Sequence, residues 1–243
     1  EVKQNADSTK LKPDAKDAKK VEKKEDEYEK LLKKGGSFQQ GLFNVRHIEK
    51  DWYFEIPEAA LSRLFLAVTR FVSVPEGFPQ LSGEEVNSNT LYFERYDDKT
   101  LLMRSWAHTQ KADAKDNISA LIKKSTIDPI VFKFDIIGTD KQTKTMLVNV
   151  TKLFKSDNTI SAFSQQLKVG GLQDDRTFID TIKTFPINIE VSTLRTYSSN
   201  PERTLASQKG FLTLSLNTSI VELPETPMQP RLADERVGYF NKR

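Results

Sequence analysis

The chain contains no cysteine and only two histidines, His47 and His108. The absence of cysteine excludes disulfide bonds, thiolate zinc ligands and cysteine nucleophiles. A hydrolytic zinc site needs two histidines one helical turn apart, together with a carboxylate base and a further ligand. His47 and His108 are 61 residues apart, so neither supplies such a pair. We interpret both as ordinary strand residues.

Long apolar runs are also missing. The longest candidate, Leu64 to Val74, is interrupted by Thr69, Arg70 and Ser73, and it is shorter than the ~18 residues that span a bilayer. No signal-peptide pattern is present. The chain begins at Glu1, which fits either a mature exported protein after cleavage or a shortened chain.

Sequence motifs of other enzyme classes are missing too. A serine hydrolase would hold its nucleophile in a Gly-x-Ser-x-Gly elbow, and no such segment occurs. Gly170-Gly171 lacks the further glycines of a phosphate-binding loop, and we interpret it as a turn. The chain therefore shows no catalytic residue set of its own, and a binding or auxiliary function is favoured.

Charge is distributed unevenly along the chain. Residues 1–36 hold eleven lysines and nine acidic residues, which leaves 26 basic and 25 acidic residues in the remainder. A nucleic-acid-binding protein would concentrate unpaired basic residues on a folded face, so the nearly neutral body argues against that class. Residues 1–36 are predicted to be a disordered tether, because their low hydrophobicity cannot offset the entropy of ordering. Glu–Lys pairs also favour a partial helix over 15–34.

The body is predicted to be α+β, mainly an antiparallel β-sheet with a few short helices. Aromatic and β-branched runs bounded by turn residues predict the strands. Helical spacing of apolar residues predicts helices at Asp113–Lys124 and Arg176–Phe185, and Thr151 is predicted to cap a short helical turn. The predicted strands are 40–47, 51–56, 64–73, 90–96, 100–106, 130–137, 145–150, 187–197 and 211–223.

Several segments taken together are similar to a known family. The segments are 33–45, 52–57 (Trp-Tyr-Phe-Glu-Ile-Pro), 65–70, 83–87, 92–94, 186–191, 227–231 and 234–240 (Asp-Glu-Arg-Val-Gly-Tyr-Phe). In this order they resemble the N-terminal, non-catalytic region of exported bacterial zinc-dependent metalloproteases of the met-zincin kind. In those proteins two adjoining domains of unknown function precede the peptidase domain.

The resemblance implies an auxiliary role. The His-Glu-x-x-His helix of that family lies beyond the last residue here, so zinc is expected only in the downstream peptidase domain and no cofactor in this chain. The chain alone is not expected to be an enzyme, whereas the parent protein is expected to be a zinc peptidase. The implied partners are that peptidase domain and a polypeptide substrate. The implied location is exported: periplasmic, outer-membrane-associated or extracellular.

We predict four parts: a tether at 1–36, a small β-rich domain at 37–78, a main β-rich domain at 79–223 and an extended connector at 224–243. In the connector, Arg231, Asp234 and Arg236 are candidates for contacts with the next domain. The leading hypothesis is a module that packs on the peptidase domain and presents or gates polypeptide substrate, with a strand edge as a means of binding.

Two other functions stay open. A propeptide-like inhibitor would need a carboxylate to reach the zinc, and Asp234 is its candidate. A stand-alone extracellular binding module would use Trp52, Trp106 or Tyr92 as stacking platforms.

Overall fold

The computed structural model describes residues 28–106, 125–140, 143–162, 164–199, 210–226 and 228–229. Within these ranges eleven strands form one sheet in which every neighbouring pair is antiparallel. The strands are β1 (Ser37–Gln39), β2 (Asn44–Ile48), β3 (Asp51–Pro57), β4 (Phe65–Ser73), β5 (Glu85–Asp97), β6 (Thr100–Ser105), β7 (Ile130–Thr139), β8 (Thr145–Asn149), β9 (Phe178–Thr184), β10 (Asn188–Ser198) and β11 (Phe211–Glu222). Their order across the sheet is β1-β2-β3-β8-β7-β6-β5-β4-β11-β10-β9.

Helices are few and short in the described ranges. They are α1 (28–33), α2 (Thr151–Lys155) and α3 (Ser164–Leu167), with 3-10 turns at Glu58–Ser62 and Asp174–Arg176. Strands hold 54% of the described residues and helices 14%. The predicted antiparallel sheet is therefore confirmed, but the fold is β-rich rather than α+β. Among the described residues, every helix is too short or too polar to cross a bilayer.

The sheet curls until its β9 end meets the segment that leads into β2. The N–H of Leu42 donates to the carbonyl of Phe185 at 2.7 Å, and the hydroxyl of Thr184 donates to the carbonyl of Phe43 at 2.9 Å. Gly41 makes this approach possible, because a Cβ there would lie 2.3 Å from Oγ1 of Thr184. The inner faces of distant strands consequently share one core.

An aromatic cluster occupies the centre of that core. The ring of Phe43 lies 5.4–5.9 Å from the rings of Phe54, Phe65 and Phe93. All four side chains are buried, and three of them lie on the consecutive strands β3, β4 and β5. Edge-to-face and tilted contacts of this kind stabilise a core beyond the area that they bury.

The alternating runs of the sequence form strands as predicted. The hairpins β5–β6 and β7–β8 and the long strands β10 and β11 are all present. The predicted helix Arg176–Phe185 is wrong, because this segment forms β9 and pairs with β10. Its threonines and isoleucines favour a pleated strand, and burial alternates between Ile182 and Thr184 inside and Lys183 outside. The predicted helix Asp113–Lys124 lies outside the described residues.

The first described element of the chain is α1. Tyr28 and Leu31 of α1 pack on the outer face of the sheet against Ile48, Tyr53 and Leu147. These apolar contacts stabilise α1, which lies within the partial helix predicted over 15–34. The rest of the tether, 1–27, lies outside the described residues.

Candidate functional site

Strand β7 is twice as long as its neighbour β8, with ten residues against five. β8 pairs with β7 only over Ile136–Thr139, whereas β6 pairs with β7 from Ile130 to Asp135. Within the described part of the chain, no strand pairs with Ile130–Asp135 on the side where β8 ends. One edge of this stretch is therefore open.

The end of β8 is set by a local turn. The side-chain oxygen of Asn149 accepts the N–H of Thr151 at 2.9 Å, as Asx turns do. The hydroxyl of Thr151 in turn accepts the N–H of Trp52 at 2.8 Å. Thr151 thus begins α2, and its hydroxyl satisfies the N–H of Trp52, which a longer β8 would have bonded through its backbone. The predicted short helical turn is confirmed, but this hydroxyl bonds to β3 rather than capping α2.

The open stretch of β7 faces a groove of about 810 Å³. We call it the β7 groove and define it by its two walls. One wall is β7 from Ile130 to Asp135, and the other is formed where β3 begins and β8 ends, by Asp51, Asn149, Thr151 and Lys152. This volume is within the range of sites that bind small molecules or short peptide segments.

The backbone of β7 presents hydrogen-bonding groups to this groove. Ile136 donates its N–H to Lys99 at 2.8 Å, on the β6 side. Because successive residues of a strand point their backbone groups to opposite edges, Lys133 and Asp135 point theirs away from β6. Of these groups, the carbonyl of Asp135 is already used by β8, because the pair Ile136–Val148 is closed by a bond from the N–H of Asn149. The groove therefore offers two N–H donors, of Lys133 and Asp135, and one carbonyl acceptor, of Lys133.

The side chains of the β7 wall alternate in character. Phe132 is half-buried and Phe134 is buried, with their rings 4.8 Å apart on the inner face. Lys133 and Asp135 point outward, where they form an exposed ion pair of 3.3 Å. At the start of the strand Ile130 is 54% exposed. A strand added to this edge would meet an apolar inner side and a charged outer side.

The opposite wall carries one acidic and one basic side chain, Asp51 and Lys152. Lys152 is exposed and makes no ion pair with any described residue. Asp51 is engaged by the hydroxyl of Tyr53, and burial, followed by this carboxylate, raises the pKa of Tyr53. On the β7 wall Lys133 and Asp135 neutralise each other. Asp51 keeps its negative charge in its hydrogen bond with Tyr53, so the four charged residues that line the groove sum to zero.

A buried arginine holds this wall in place from inside. Arg195 on β10 is 0% exposed. Its guanidinium donates to the carbonyl of Phe154 at 2.5 Å, the carbonyl of Ser156 at 3.0 Å and the hydroxyl of Ser161 at 2.5 Å. The carbonyls belong to the last turn of α2 and the residue after it, which is where cations interact favourably with a helix. Arg195 therefore fixes the helix that carries Lys152.

The structure describes some of the candidate residues proposed from the sequence and not others. Arg231, Asp234 and Arg236 lie outside the described residues, so their role as interdomain contacts stays a prediction. His47 stacks on Trp52 with ring centroids 4.1 Å apart, and no group of three potential metal ligands occurs among the described residues. Of the proposed stacking platforms, Trp52 is buried, Tyr92 bonds to Asp128 and Trp106 is 37% exposed.

Sequence reasoning missed both the β7 groove and Arg195. The unequal lengths of the predicted strands 130–137 and 145–150 were the available signal for an open edge. For Arg195 the signal was an arginine at an inward position of an alternating strand, between Thr193 and Tyr197, which are both buried.

Fold and site together define a β-rich protein whose curled antiparallel sheet leaves part of one inner strand open to a ligand. The chain belongs to the family described as Domain of unknown function (DUF5117), whose model matches residues 83–243. A second model, Domain of unknown function (DUF5118), matches residues 25–74. Among curated proteins and among solved structures, no match was found for the chain.

The two matched segments contribute to the same sheet. Strands β3 and β4 lie in the segment 25–74. β3 pairs with β8, and β4 pairs with β5 and β11, which all lie in the segment 83–243. Residues 37–78 and 79–223 are therefore joined by backbone hydrogen bonds, while their division into domains stays a prediction.

Proposed function

We propose that this chain is a non-catalytic module that binds an extended polypeptide along the open edge of β7. In the intact protein it would present that polypeptide to a downstream zinc peptidase domain, in an exported setting. The open edge of β7 is the observation that carries the binding role. The resemblance of the sequence to the N-terminal region of met-zincin-like proteases supports the peptidase context.

Main-chain recognition suits the presentation of polypeptides. A strand added to a sheet edge gains affinity from backbone hydrogen bonds, which any non-proline sequence can form. The open backbone groups of Lys133 and Asp135 provide three such bonds. At about 0.5–1.5 kcal/mol each, they would contribute roughly 1.5–4.5 kcal/mol before the cost of ordering the ligand. This range predicts weak binding that tolerates many sequences, as a presenting module requires.

The decisive test changes the backbone of β7 while sparing the sheet. In Lys133→Pro the residue loses an N–H that faces the groove, and proline is tolerated on a strand edge whose N–H faces solvent. Lys133→Ala is the matched control, because it removes the same side chain but keeps the N–H. We expect Lys133→Pro to weaken the binding of a fluorescein-labelled unfolded polypeptide, such as reduced carboxymethylated lactalbumin, at least tenfold in fluorescence anisotropy.

The control variant separates the edge from the side chain. Lys133→Ala should bind within about twofold of the unmodified chain, since it leaves the open backbone groups in place. Circular dichroism and thermal unfolding of both variants verify that the sheet is intact. Equal binding by Lys133→Pro and the unmodified chain would overturn the proposed site.

A second experiment addresses presentation. In the intact protein, Lys133→Pro should lower kcat/KM for an unfolded protein substrate while leaving hydrolysis of a short fluorogenic peptide unchanged. The inhibitory alternative depends on Asp234, outside the described residues, and predicts a different result. Adding the separate chain to the active peptidase domain would then suppress hydrolysis of the short peptide as well.

A further inference from the structure

We infer that Arg63 is a positioning residue, which holds the segment Glu222–Glu225 and so fixes the direction in which the chain leaves β11. We call this arrangement the Arg63 clasp. Its contacts join described residues and do not depend on the β7 groove. Its consequence for presentation rests on the proposed function, because the predicted connector 224–243 begins at the clasp and leads toward the next domain.

The clasp lies where the ladder between β4 and β11 stops. Its last backbone bond runs from the N–H of Leu223 to the carbonyl of Leu64 at 2.9 Å. On the other side of β11, the N–H of Glu222 donates to the carbonyl of Ile187 at 2.9 Å. The next residue, Pro224, has no N–H to donate. Backbone N–H groups therefore stop holding the chain at this point.

The side chain of Arg63 holds the chain from there on. Its Nε lies 3.1 Å from Oε1 of Glu222, and one terminal nitrogen donates to the carbonyl of Leu223 at 3.0 Å. The other terminal nitrogen pairs with the carboxylate of Glu225. All three nitrogens of the guanidinium thus contact one short segment. Arginine suits this role because its planar fork presents several donors in fixed directions, whereas lysine offers one compact charge.

Arg63 is held on a rigid base. Its N–H donates to the carbonyl of Ala60 at 3.2 Å, at the end of the 3-10 turn Glu58–Ser62. Ala60 is buried in the main core. The segment beyond Leu223 has no comparable support, because within the described part of the chain residues 224–226 make no hydrogen bond or ion pair other than the one to Arg63. The guanidinium is therefore what connects this segment to the sheet.

A single spin label can report on the clasp. The chain contains no cysteine, so Thr226→Cys provides one labelling site, at an exposed residue just after the clasp. The mobility of a nitroxide there distinguishes held from released segments in an EPR spectrum. Arg63→Met should lower the ratio of held to released label about tenfold, because it removes charge-assisted hydrogen bonds. Arg63→Lys should restore only part of the loss, since one ammonium group does not reproduce the fork.

Two further variants serve as a control and as an independent test. Arg70→Met removes an arginine of β4 whose ion pair is with Glu85 at 3.9 Å, and it should leave the label unchanged. Glu225→Gln alters the clasp at an exposed position that does not threaten folding, and it should lower the ratio by about two- to fivefold. An unchanged spectrum in Arg63→Met and Glu225→Gln would overturn the clasp, as would equal release by Arg70→Met.

The consequence for presentation is measured in the intact protein. Arg63→Met should lower kcat/KM for an unfolded protein substrate by the same factor as the held fraction of the label, while hydrolysis of a short fluorogenic peptide stays unchanged. Arg63 does not line the β7 groove. The separate Arg63→Met chain should therefore bind fluorescein-labelled carboxymethylated lactalbumin within about twofold of the unmodified chain.

The outcomes keep this inference and the proposed function apart. Release of the label with unchanged hydrolysis of the unfolded protein would overturn the role of Arg63 in presentation and leave the β7 site intact. Loss of lactalbumin binding in Arg63→Met would also overturn that role, because the substitution would then act on the groove. Unimpaired binding by Lys133→Pro, together with release of the label by Arg63→Met, would overturn the proposed function and leave the clasp standing.

Discussion

Replacing Arg195 by methionine should destabilise the protein by about 3–5 kcal/mol. The guanidinium is fully buried, and it donates to two backbone carbonyls and one hydroxyl at 2.5–3.0 Å. Hydrogen bonds to a charged group contribute about 1.5–3 kcal/mol each. Methionine fills much of the same volume but leaves the carbonyls of Phe154 and Ser156 without this donor.

An opposing effect reduces the sum of these bonds. No described carboxylate forms an ion pair with Arg195, and burying an unpaired charge costs several kcal/mol, which methionine would recover. Three bonds of about 2 kcal/mol, less part of that recovery, give the expected 3–5 kcal/mol. For a protein of this size, this corresponds to a fall in Tm of roughly 6–20 °C.

Urea unfolding followed by circular dichroism measures the effect. Arg176→Met is the matched control, because Arg176 is half-exposed and lies over the ring of Phe211 at 4.3 Å. That contact should be worth less than about 1 kcal/mol. The denaturant slope m should not change in either variant. A stability of Arg195→Met equal to that of the unmodified chain would refute the reasoning, because desolvation would then cancel all three hydrogen bonds.

Two further predictions concern the closure of the sheet and its behaviour at high pH. Gly41→Ala should destabilise the fold by about 1–3 kcal/mol in urea unfolding, because the new methyl group would collide with Thr184; Gly171→Ala, with open space around it, should cost less than about 0.5 kcal/mol. Burial, followed by the hydrogen bond to Asp128, raises the pKa of Tyr92 to about 12 from 10.0. The folded state therefore favours the neutral phenol, and its stabilisation is complete below pH 10.0 and lost as the pH rises to about 12. Over that interval Tyr92→Phe should lose less stability than the unmodified chain, and an equal loss would contradict the assignment.

The strands were predictable because their signal is local. In β10 and β11 every second residue is apolar or buried, and such alternation specifies a strand that has one face in a core. β9 was mistaken for a helix because Phe178, Ile179 and Ile182 also fit a helical spacing. The pairing with β10 decided the outcome, and the spacing of apolar residues within β9 does not reveal that pairing.

The site was less predictable because it depends on differences between elements. The lengths of β7 and β8 were visible in the sequence, but their pairing register was not. Ile136 lies opposite Val148 while Gly138 lies opposite Leu147, so the register shifts between these two pairs. The position of this irregularity determines which residues of β7 stay open. Arg195 was likewise hard to recognise as a buried charge. Its inward direction follows from its position two residues from Thr193 and from Tyr197, and the structure was needed to show that these two residues are buried.

The opening in the sheet follows from the side chains that end β8. If β8 continued past Asn149, its next residues would pair with β7 toward Ile130 and close the groove. Asn149 instead turns the chain, Thr151 takes up the free donor of Trp52, and α2 carries the backbone away from β7. Both backbone groups of Trp52, which lose their place in the ladder where β8 ends, are therefore satisfied. Its N–H donates to the hydroxyl of Thr151, and its carbonyl accepts the N–H of Val150 at 2.8 Å. On the β7 side, Asn149 satisfies the carbonyl of Asp135, whereas no described strand pairs with the N–H and carbonyl of Lys133 or with the N–H of Asp135. Because one side of the break is compensated and the other keeps open ladder groups, the asymmetry favours a strand-binding site over a simple end of the sheet.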